Sequence, residues 1–234
     1  AGVADLRRPV ESLRDRLIPV GDLERHAGDQ PGRRRDGCIR RKVEEAGLPT
    51  AEINKRKQLT IWQRLEYLLD PGTWTPLNTL YNPNDNVEGT NNVYHGLAKV
   101  SGKWAVVIGF DNKVIAGAWI PGQAEEIFRA TNLAKLLNIP LVWLVNCSGV
   151  KLPDQEKFYG DRRGSGTTFF RHAELEQAGV PILAGIYGTN PAGGGYQGIS
   201  PTILFAHKDA NIAVGGGGIL SGMSPKGFFD LEGA

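Results

Sequence analysis

The chain has little of what marks several common protein classes. Among its 234 residues there are only two cysteines, Cys38 and Cys147, so we expect no disulfide framework and predict a reducing, cytoplasmic location. It has no run of about 18 apolar residues, so no membrane-spanning helix is predicted. A formal net charge of +2 is too small to predict nucleic-acid binding. An apolar stretch typical of a signal peptide is absent from the N-terminal residues.

Familiar catalytic motifs are missing as well. There is no G-x-S-x-G elbow, which argues against an α/β-hydrolase, and no P-loop motif. Nothing marks Cys147 as an activated thiol, so it is interpreted as a packed residue at the end of a strand. The histidines have no metal-ligand spacing and are interpreted as structural; they are His26, His95, His172 and His207. The sequence therefore offers no conventional catalytic set.

Composition divides the chain into two parts. Residues 1–41 contain ten arginines, seven acidic residues and no lysine, a composition typical of a poorly ordered extension. The seven acidic residues also argue against a transit peptide. We predict an atypical Arg-rich extension at 1–41 and a folded domain at 42–234, whose charge is close to neutral.

From residue 42 onward the apolar pattern predicts an α/β domain. A pair of strands is followed by alternating helices and strands, which is typical of a sheet with right-handed crossovers. The predicted helices are 60–69, 123–137, 167–177 and 195–205. The predicted strands are 93–100, 104–110, 114–120, 139–145, 180–186 and 211–214. Thr60 is predicted to cap the first helix, and Pro201 to lie within the last helix or to end it.

The most informative motif is a glycine-rich turn that follows the apolar run 180–184. Residues 185–196, GIYGTNPAGGGY, are predicted to join a strand to a short helix. That order places several backbone N–H groups at a helix N-terminus, where partial positive charge collects. Such groups can bind a phosphate or stabilise an oxyanion. A second glycine-bearing segment, residues 146–150, also follows an apolar strand. Either segment alone is equally well a tight turn, but together they favour a site.

These motifs lie within a longer resemblance. From about residue 44 to the end, the sequence resembles the carboxyltransferase α subunits of biotin-dependent glutaconyl-CoA decarboxylases. The resemblance is carried by residues 110–175, which begin FDNKVIAGAWIPGQAEE, and by 185–234, which include GIYGTNPAGGGYQGIS and SPKGFFDLEGA. More distantly, the sequence is similar to acyl-CoA carboxylase β subunits and to the crotonase superfamily. The resemblance implies a crotonase-like spiral of ββα units, with an acyl-CoA carboxyltransferase N-terminal domain at 42–234.

The resemblance also implies which residues form the site. Carboxyl transfer from an acyl thioester leaves an enolate, and preorganised N–H groups can hold its oxygen. By match to the A-G-G motif of carboxyltransferases, these N–H groups belong to Gly193 and Gly194, with Gly195 assisting the turn. The substrate is expected to meet two further stretches, which are Ser148, Gly149 and Val150 on the facing side and Ala116, Gly117 and Ala118 on the CoA side. Three basic residues are equally well CoA-phosphate ligands or a solvated loop: Lys151, Arg162 and Arg163.

The family implies partners as well. Its subunits are about twice as long, and their second half receives biotin from a carrier subunit at a dimer interface. We therefore expect the biotin-receiving half to be missing here, and this chain to bind glutaconyl-CoA without completing the transfer. Sodium-pumping membrane subunits and a homo-oligomer are implied too, so any membrane association would come through partners.

Two other interpretations remain open. A free-standing crotonase-like hydratase or hydrolase would need a positioned carboxylate, for which Glu125, Glu126 and Asp154 are candidates. A non-catalytic acyl-CoA-binding module would need none. The glycine motifs do not distinguish glutaconyl-CoA from other acyl-CoA thioesters.

Overall fold

The structure of the protein is a computed structural model that describes residues 41–77, 90–154, 156, 164, 166–198 and 200–215. Within these ranges its helices include α1 Thr50–Lys55, α2 Ile61–Leu68, α3 Gln123–Leu137, α4 Gly166–Gln177 and α5 Gly193–Tyr196. Its strands are β1 Thr75–Pro76, β2 Val93–Val100, β3 Lys103–Phe110, β4 Leu141–Val145, β5 Ile182–Ile186, β6 Thr189–Pro191, β7 Ile203–Ala206 and β8 Asn211–Ala213. The extension predicted at 1–41 lies, except for Arg41, outside the described residues.

Six strands form one sheet in the order β1-β2-β3-β4-β5-β7. The first three pair antiparallel, and β3, β4, β5 and β7 pair parallel. Outside this sheet, short extended segments also pair with one another. β6 pairs parallel with β8, and Trp119 forms a parallel bridge to Val150. A long strand followed by a short one and then a helix is the ββα unit that was predicted.

Helices cover both faces of the sheet. On one face, Ile127 of α3 and Leu175 of α4 pack with Phe110 and Trp143, whose rings stack with centroids 5.7 Å apart. On the other face, Ile61 and Leu65 of α2 pack against the sheet. Burial of each such side chain stabilises the fold by about 1.5–3 kcal/mol. The sheet is therefore largely buried between layers from β2 to β5, whereas the edge strand β7 is exposed.

The helix predicted at 60–69 is confirmed, and its start has a local cause. The Thr60 hydroxyl accepts from the Gln63 N–H at 3.3 Å, while the Gln63 side chain accepts from the Thr60 N–H at 3.0 Å. This reciprocal cap satisfies two N–H groups that otherwise have no partner. None of the helices in the described ranges is long and apolar enough to cross a bilayer.

Two predicted elements are wrong. The apolar stretch 114–120 is not a strand, because Ile115 and Ala116 adopt positive φ angles of 49° and 51°, which no strand tolerates. The helix predicted at 195–205 ends after one turn, and Ile203–Ala206 instead pair in parallel with β5. Three consecutive glycines and Pro201 weaken a helix there, whereas Ile203, Leu204 and Phe205 suit a strand.

Candidate functional site

Three backbone segments meet at the carboxyl ends of the parallel strands. We call residues 115–117 the positive-φ turn, residues 147–150 the Cys147 segment, and residues 192–195 the glycine turn. The Cys147 segment touches both others: the Ser148 N–H donates to the Ala116 carbonyl at 3.3 Å, and a Cβ at Gly193 would lie 3.9 Å from Val150. The two glycine-bearing strand ends picked from the sequence are therefore neighbours in space.

The glycine turn leaves two N–H groups unused. Its first residue, Ala192, has the unusual angles φ 47° and ψ −124°, and its N–H donates to Ala213 at 2.7 Å. The Gly195 N–H closes the turn by donating to the Ala192 carbonyl at 2.9 Å. Within the part of the chain that the structure describes, the N–H groups of Gly193 and Gly194 have no acceptor, although both residues are buried. Buried N–H groups are rarely left unpaired, so these two are available to a ligand.

Gly194 packs directly on the backbone of Cys147. A Cβ at position 194 would collide with the Cys147 carbonyl oxygen, so only glycine allows this approach. The Asn190 side chain, which is fully buried, accepts from the Cys147 N–H at 2.8 Å and donates to the Tyr187 carbonyl at 2.8 Å. The Cys147 thiol is buried too, so the predicted packed residue at the end of a strand is confirmed, and burial raises the pKa of the thiol.

Gln197 is a second buried amide beside the glycine turn. Its side-chain orientation is assigned from the neighbouring groups, which in this case are carbonyl oxygens. In that orientation the amide nitrogen donates to the carbonyls of Gly193 at 2.9 Å and Gly194 at 3.2 Å. The Gly193 carbonyl belongs to the same peptide plane as the Gly194 N–H. Gln197 therefore fixes the direction in which that N–H points.

The positive-φ turn is held by a clamp of two buried amides. Asn92 donates to the carbonyls of Val114 and Ala118, each at 3.0 Å. Gln123, the first residue of α3, donates to the Ala118 carbonyl at 2.8 Å and to the Asn92 side chain. A β-branched residue such as Ile115 adopts positive φ only when the surroundings impose it. The clamp supplies that constraint from both sides of the turn.

Comparison with known proteins assigns the chain to a family. The family model described as the carboxyl transferase domain matches residues 52–224, which include all three segments. This chain belongs to the carboxyl transferase family. The alpha subunit of glutaconyl-CoA decarboxylase from Acidaminococcus fermentans is 58% identical over 192 residues, which are 82% of this chain and 33% of that protein. The biotin-dependent 3-methylcrotonyl-coenzyme A carboxylase beta1 subunit of Mycobacterium tuberculosis is 29% identical over 69% of this chain and 31% of that protein. The chain spans about a third of the length of these curated relatives.

Solved structures share the fold. The beta subunit of geranyl-CoA carboxylase from P. aeruginosa has a TM-score of 0.66 at 23% identity, over 79% of this chain and 35% of that one. Transcarboxylase 12S, a hexamer solved with hydrolysed methylmalonyl-coenzyme A, has a TM-score of 0.69 at 19% identity, over 85% of this chain and 40% of that one. The predicted crotonase-like carboxyltransferase fold is therefore confirmed.

The carboxyltransferase fold brings most of the predicted site residues together. Ala116 and Ser148 are exposed at the edge of the site, while Gly117 and Gly149 are buried beneath it. A Cβ at Gly117 would collide with the Asn146 carbonyl oxygen, so this glycine too is required by a close approach. Arg162 and Arg163 lie outside the described residues.

The charged candidates are engaged elsewhere. Lys151 forms an ion pair with Asp154 at 2.8 Å, and Glu125 forms one with Arg129 at 3.2 Å. Glu126 is buried with His95, with 3.2 Å between their nearest polar atoms. Each of these carboxylates has a structural partner, and none of the contacts described for them joins the glycine turn.

Behind the site lies a charged cluster, which the sequence did not predict. We call it the arginine cluster: Arg64, Asp111, Asn112, Asn146 and Tyr187. The buried Arg64 guanidinium lies over the Tyr187 ring, 4.2 Å from its centroid. With its amide oriented to satisfy its neighbours, Asn146 accepts from both terminal nitrogens of Arg64, at 3.0 and 3.3 Å. Burial lowers the pKa of Arg64 to about 10, so the guanidinium remains charged at neutral pH. Its only sequence signal was an arginine on the apolar face of α2.

His172 forms a buried contact on the face of the sheet opposite to the arginine cluster. The Trp143 N–H donates to His172 Nε2 at 3.1 Å, and Nδ1 lies 2.8 Å from the Ser200 hydroxyl. Because an indole N–H only donates, Nε2 must accept, and the neutral ring carries its proton on Nδ1. Burial lowers the pKa of His172 to about 4. His172 is thus a structural residue, as predicted, and in this tautomer its protonated Nδ1 faces Ser200 as a donor and not as a base.

Proposed function

We propose that this chain provides the acyl-CoA site of a biotin-dependent decarboxylase, in which the carboxyl group of glutaconyl-CoA is transferred to carrier-bound biotin. The observation that carries the proposal is the 58% identity with a glutaconyl-CoA decarboxylase alpha subunit over 82% of the chain. Identity at this level extends through the fold rather than through one motif. The two available N–H groups of the glycine turn support the same chemistry.

In the proposed reaction the bond between the carboxyl carbon and the acyl chain breaks. Its electron pair passes through the conjugated double bond onto the thioester oxygen, giving an extended enolate. The N–H groups of Gly193 and Gly194 hold that oxygen, and removal of one such donor typically costs about 2.7–4 kcal/mol of transition-state stabilisation. The Ala116 N–H, which has no acceptor among the described residues, is a further candidate donor at the same edge. No side-chain nucleophile is needed.

Biotin, when its carrier delivers it, would supply the nitrogen that accepts the carboxyl group and the N–H proton that this displaces, and uptake of one proton would convert the enolate into crotonyl-CoA. The Gly193 and Gly194 donors suffice for one oxygen atom, the thioester oxygen of the substrate. We therefore assign no residue of this chain to biotin. Ser148, Gly149 and Val150 are proposed to line the facing side of the pocket, and Ala116, Gly117 and Ala118 to contact the CoA moiety. Gly195, whose N–H is used within the turn, is proposed to keep its shape.

The partners belong to the same proposal. A biotin carrier, sodium-pumping membrane subunits and a homo-oligomer would complete the enzyme, which would be cytoplasmic and reach the membrane only through them. Lys151, Arg162 and Arg163 are proposed contacts to CoA phosphates, although Lys151 would first have to leave Asp154. We expect this chain alone to bind the thioester without completing the transfer.

Calorimetric titration with glutaconyl-CoA, and with free CoA as reference, tests the proposal. We expect the thioester to bind more tightly than CoA by about tenfold or more, because only the thioester offers an oxygen to the glycine turn. In the Gly194→Ala variant the new methyl group meets the Cys147 carbonyl, so the turn must move and the preference should vanish. Equal binding of thioester and CoA by the wild-type chain would refute the proposed site.

Gly166→Ala is the matched control. Gly166 has open space around the position of a Cβ and no positive φ, so alanine fits there without movement. The preference for the thioester should be unchanged in this variant. Tight thioester binding combined with biotin-independent turnover would favour a hydratase or hydrolase instead. Tight binding with no turnover, even in the complete enzyme, would favour a binding module.

A further inference from the structure

Asn190 joins the ends of two neighbouring strands through one buried side chain. Its carbonyl oxygen accepts from the Cys147 N–H at 2.8 Å, just beyond β4. Its amide nitrogen donates to the carbonyls of Tyr187 at 2.8 Å and Gly188 at 3.2 Å, just beyond β5. Asn190 is fully buried, and these bonds use its donors and its acceptor. The side chain is therefore buried and used within the protein rather than presented to a substrate.

The position of Asn190 connects it to the glycine turn. The Cys147 N–H that it binds lies on the residue whose carbonyl abuts Gly194. Asn190 also stands two residues before Ala192, whose strained backbone starts the turn. A shift of Asn190 would thus move both surfaces of the Gly194–Cys147 contact. The separation between the glycine turn and the Cys147 segment is set at this one side chain.

Gln197 acts on the same turn from its other end. By binding the Gly193 and Gly194 carbonyls, it fixes the peptide plane that carries the Gly194 N–H. Gln197 is fully buried as well. A hydrogen bond to a carbonyl also polarises the N–H of the same peptide, which strengthens that N–H as a donor. Asn190 therefore sets where the turn lies, and Gln197 sets which way its N–H points.

We propose that Asn190 and Gln197 are positioning residues, which hold the N–H groups of Gly193 and Gly194 at the place where a thioester oxygen binds. This inference rests on the proposed function, because it takes the glycine turn as the site for that oxygen. It adds two residues that never touch the substrate. Preorganisation of such donors is what makes them effective, since groups that must first reorient stabilise charge poorly.

Infrared difference spectroscopy of bound crotonyl-CoA, the enoyl thioester left when glutaconyl-CoA loses its carboxyl group, tests this inference. Two aligned N–H donors should polarise the thioester carbonyl and lower its stretching frequency in the wild-type chain. Asn190→Ala and Gln197→Met should lose most of that shift and bind crotonyl-CoA about tenfold more weakly. Binding of free CoA, which has no carbonyl at the turn, should change by less than about twofold.

Two further variants separate positioning from stability. Asn112→Ala removes a buried amide of the arginine cluster, which donates to Gln58 and Leu59 at 3.2 Å, and should lower the melting temperature without changing the carbonyl shift. Asn190→Asp keeps an acceptor for the Cys147 N–H and should recover part of the shift. If Asn190→Ala does not fold, Gln197→Met tests the inference by itself.

The outcomes are distinct. A wild-type shift that survives in both Asn190→Ala and Gln197→Met would overturn the positioning role while leaving the proposed function intact. An equal loss in Asn112→Ala would overturn it too, because any loss of stability would then suffice. If the wild-type chain itself shows no shift, the proposed function fails and this inference fails with it.

Discussion

Asn146 and Cys147 are adjacent in the chain, yet they serve opposite faces of the sheet. The Asn146 side chain enters the arginine cluster, where a buried guanidinium lies over the Tyr187 ring. Cys147 faces the other way, where it meets Asn190 and Gly194 through neutral hydrogen bonds and close packing. The alternation of a β-strand continues past the end of β4 and separates a charged region from an uncharged one.

The two regions differ in whether they leave polar groups available to a ligand. In the arginine cluster the cation is already held by an aromatic face and an amide, so it is buried and closed to a ligand. In the glycine turn no side-chain charge takes part, and two N–H dipoles remain available. A site built from dipoles keeps its strength over a wide pH range, whereas buried ionisable groups make stability depend on pH. The charged side thus holds the fold, and the neutral side is suited to binding.

Removal of the Arg64 guanidinium should have the largest effect on stability. Arg64→Ala leaves a cavity against Tyr187, removes two hydrogen bonds to Asn146 and takes the positive charge away from buried Asp111, and should destabilise the fold by about 3–5 kcal/mol. Arg64→Met fills the volume without a charge and should recover a large part of this. Chemical denaturation measures both. If thioester binding is lost in Arg64→Met while stability is kept, the division between the two regions is wrong.

The next largest effect is a loss of stability in acid, which His172 causes on the face of the sheet where Cys147 packs. Burial lowers the pKa of His172 to about 4 from its ordinary 6.5, so the unfolded chain takes up a proton first as the pH falls. The contribution of neutral His172 to the free energy of unfolding is fully present above pH 6.5. It is lost as the pH falls towards 4, by about 3 kcal/mol in all. His172→Gln can keep both hydrogen bonds without titrating, so it should remove this loss. Denaturation at a series of pH values is the measurement, and an unchanged acid slope in this variant would contradict it.

Asp111 should give a slightly smaller effect of opposite sign. Burial raises its pKa to about 6 from 3.8, against the opposing hydrogen bond from the Lys113 N–H, so the folded state binds the proton more tightly. Stability should therefore fall as the pH rises from about 4 to 6, by about 3 kcal/mol in all. Asp111→Asn should be more stable than the wild type at pH 8 and similar near pH 4.

These two slopes oppose each other in the wild-type chain. Between about pH 4 and 6 the loss from His172 and the gain from Asp111 largely cancel, so a flat pH profile of the wild type would be uninformative. Only the single variants, His172→Gln and Asp111→Asn, show how much each residue contributes to the pH dependence of stability. A double variant with the same flat profile as the wild type would support independent titration, since distant sites usually add.

Much of the scaffold could be predicted from the sequence because its signals are local. The helix α3 was bounded correctly by Pro121-Gly122 before it and the change in pattern after residue 137. The strand pair β2 and β3 followed from apolar runs on either side of a Ser-Gly turn. The glycine motifs also identified two segments that the structure places in contact.

The failures share a different cause. The stretch 114–120 is as apolar as a strand, and only the clamp of Asn92 and Gln123 reveals that its backbone turns. Asn190 and Gln197 were missed because an amide near a glycine turn is ordinary in sequence, and its importance lies in long-range partners. Arg64 was missed for the same reason, since Tyr187 and Asn146 are far from it along the chain. Such contacts depend on tertiary packing that local patterns do not encode.

The clamp on the positive-φ turn has a consequence for motion. Surface loops usually exchange their amide hydrogens through small local openings. Here the Gly117 and Ala118 N–H groups are bonded locally at 2.9 Å. The flanking carbonyls of Val114 and Ala118 are bound by Asn92, which directly precedes β2, and by Gln123, which begins α3. Local opening would have to break the clamp and release the start of a helix. The Gly117 and Ala118 amides, though the loop reaches the surface at Ala116, should therefore exchange their hydrogens as slowly as those of the core strands.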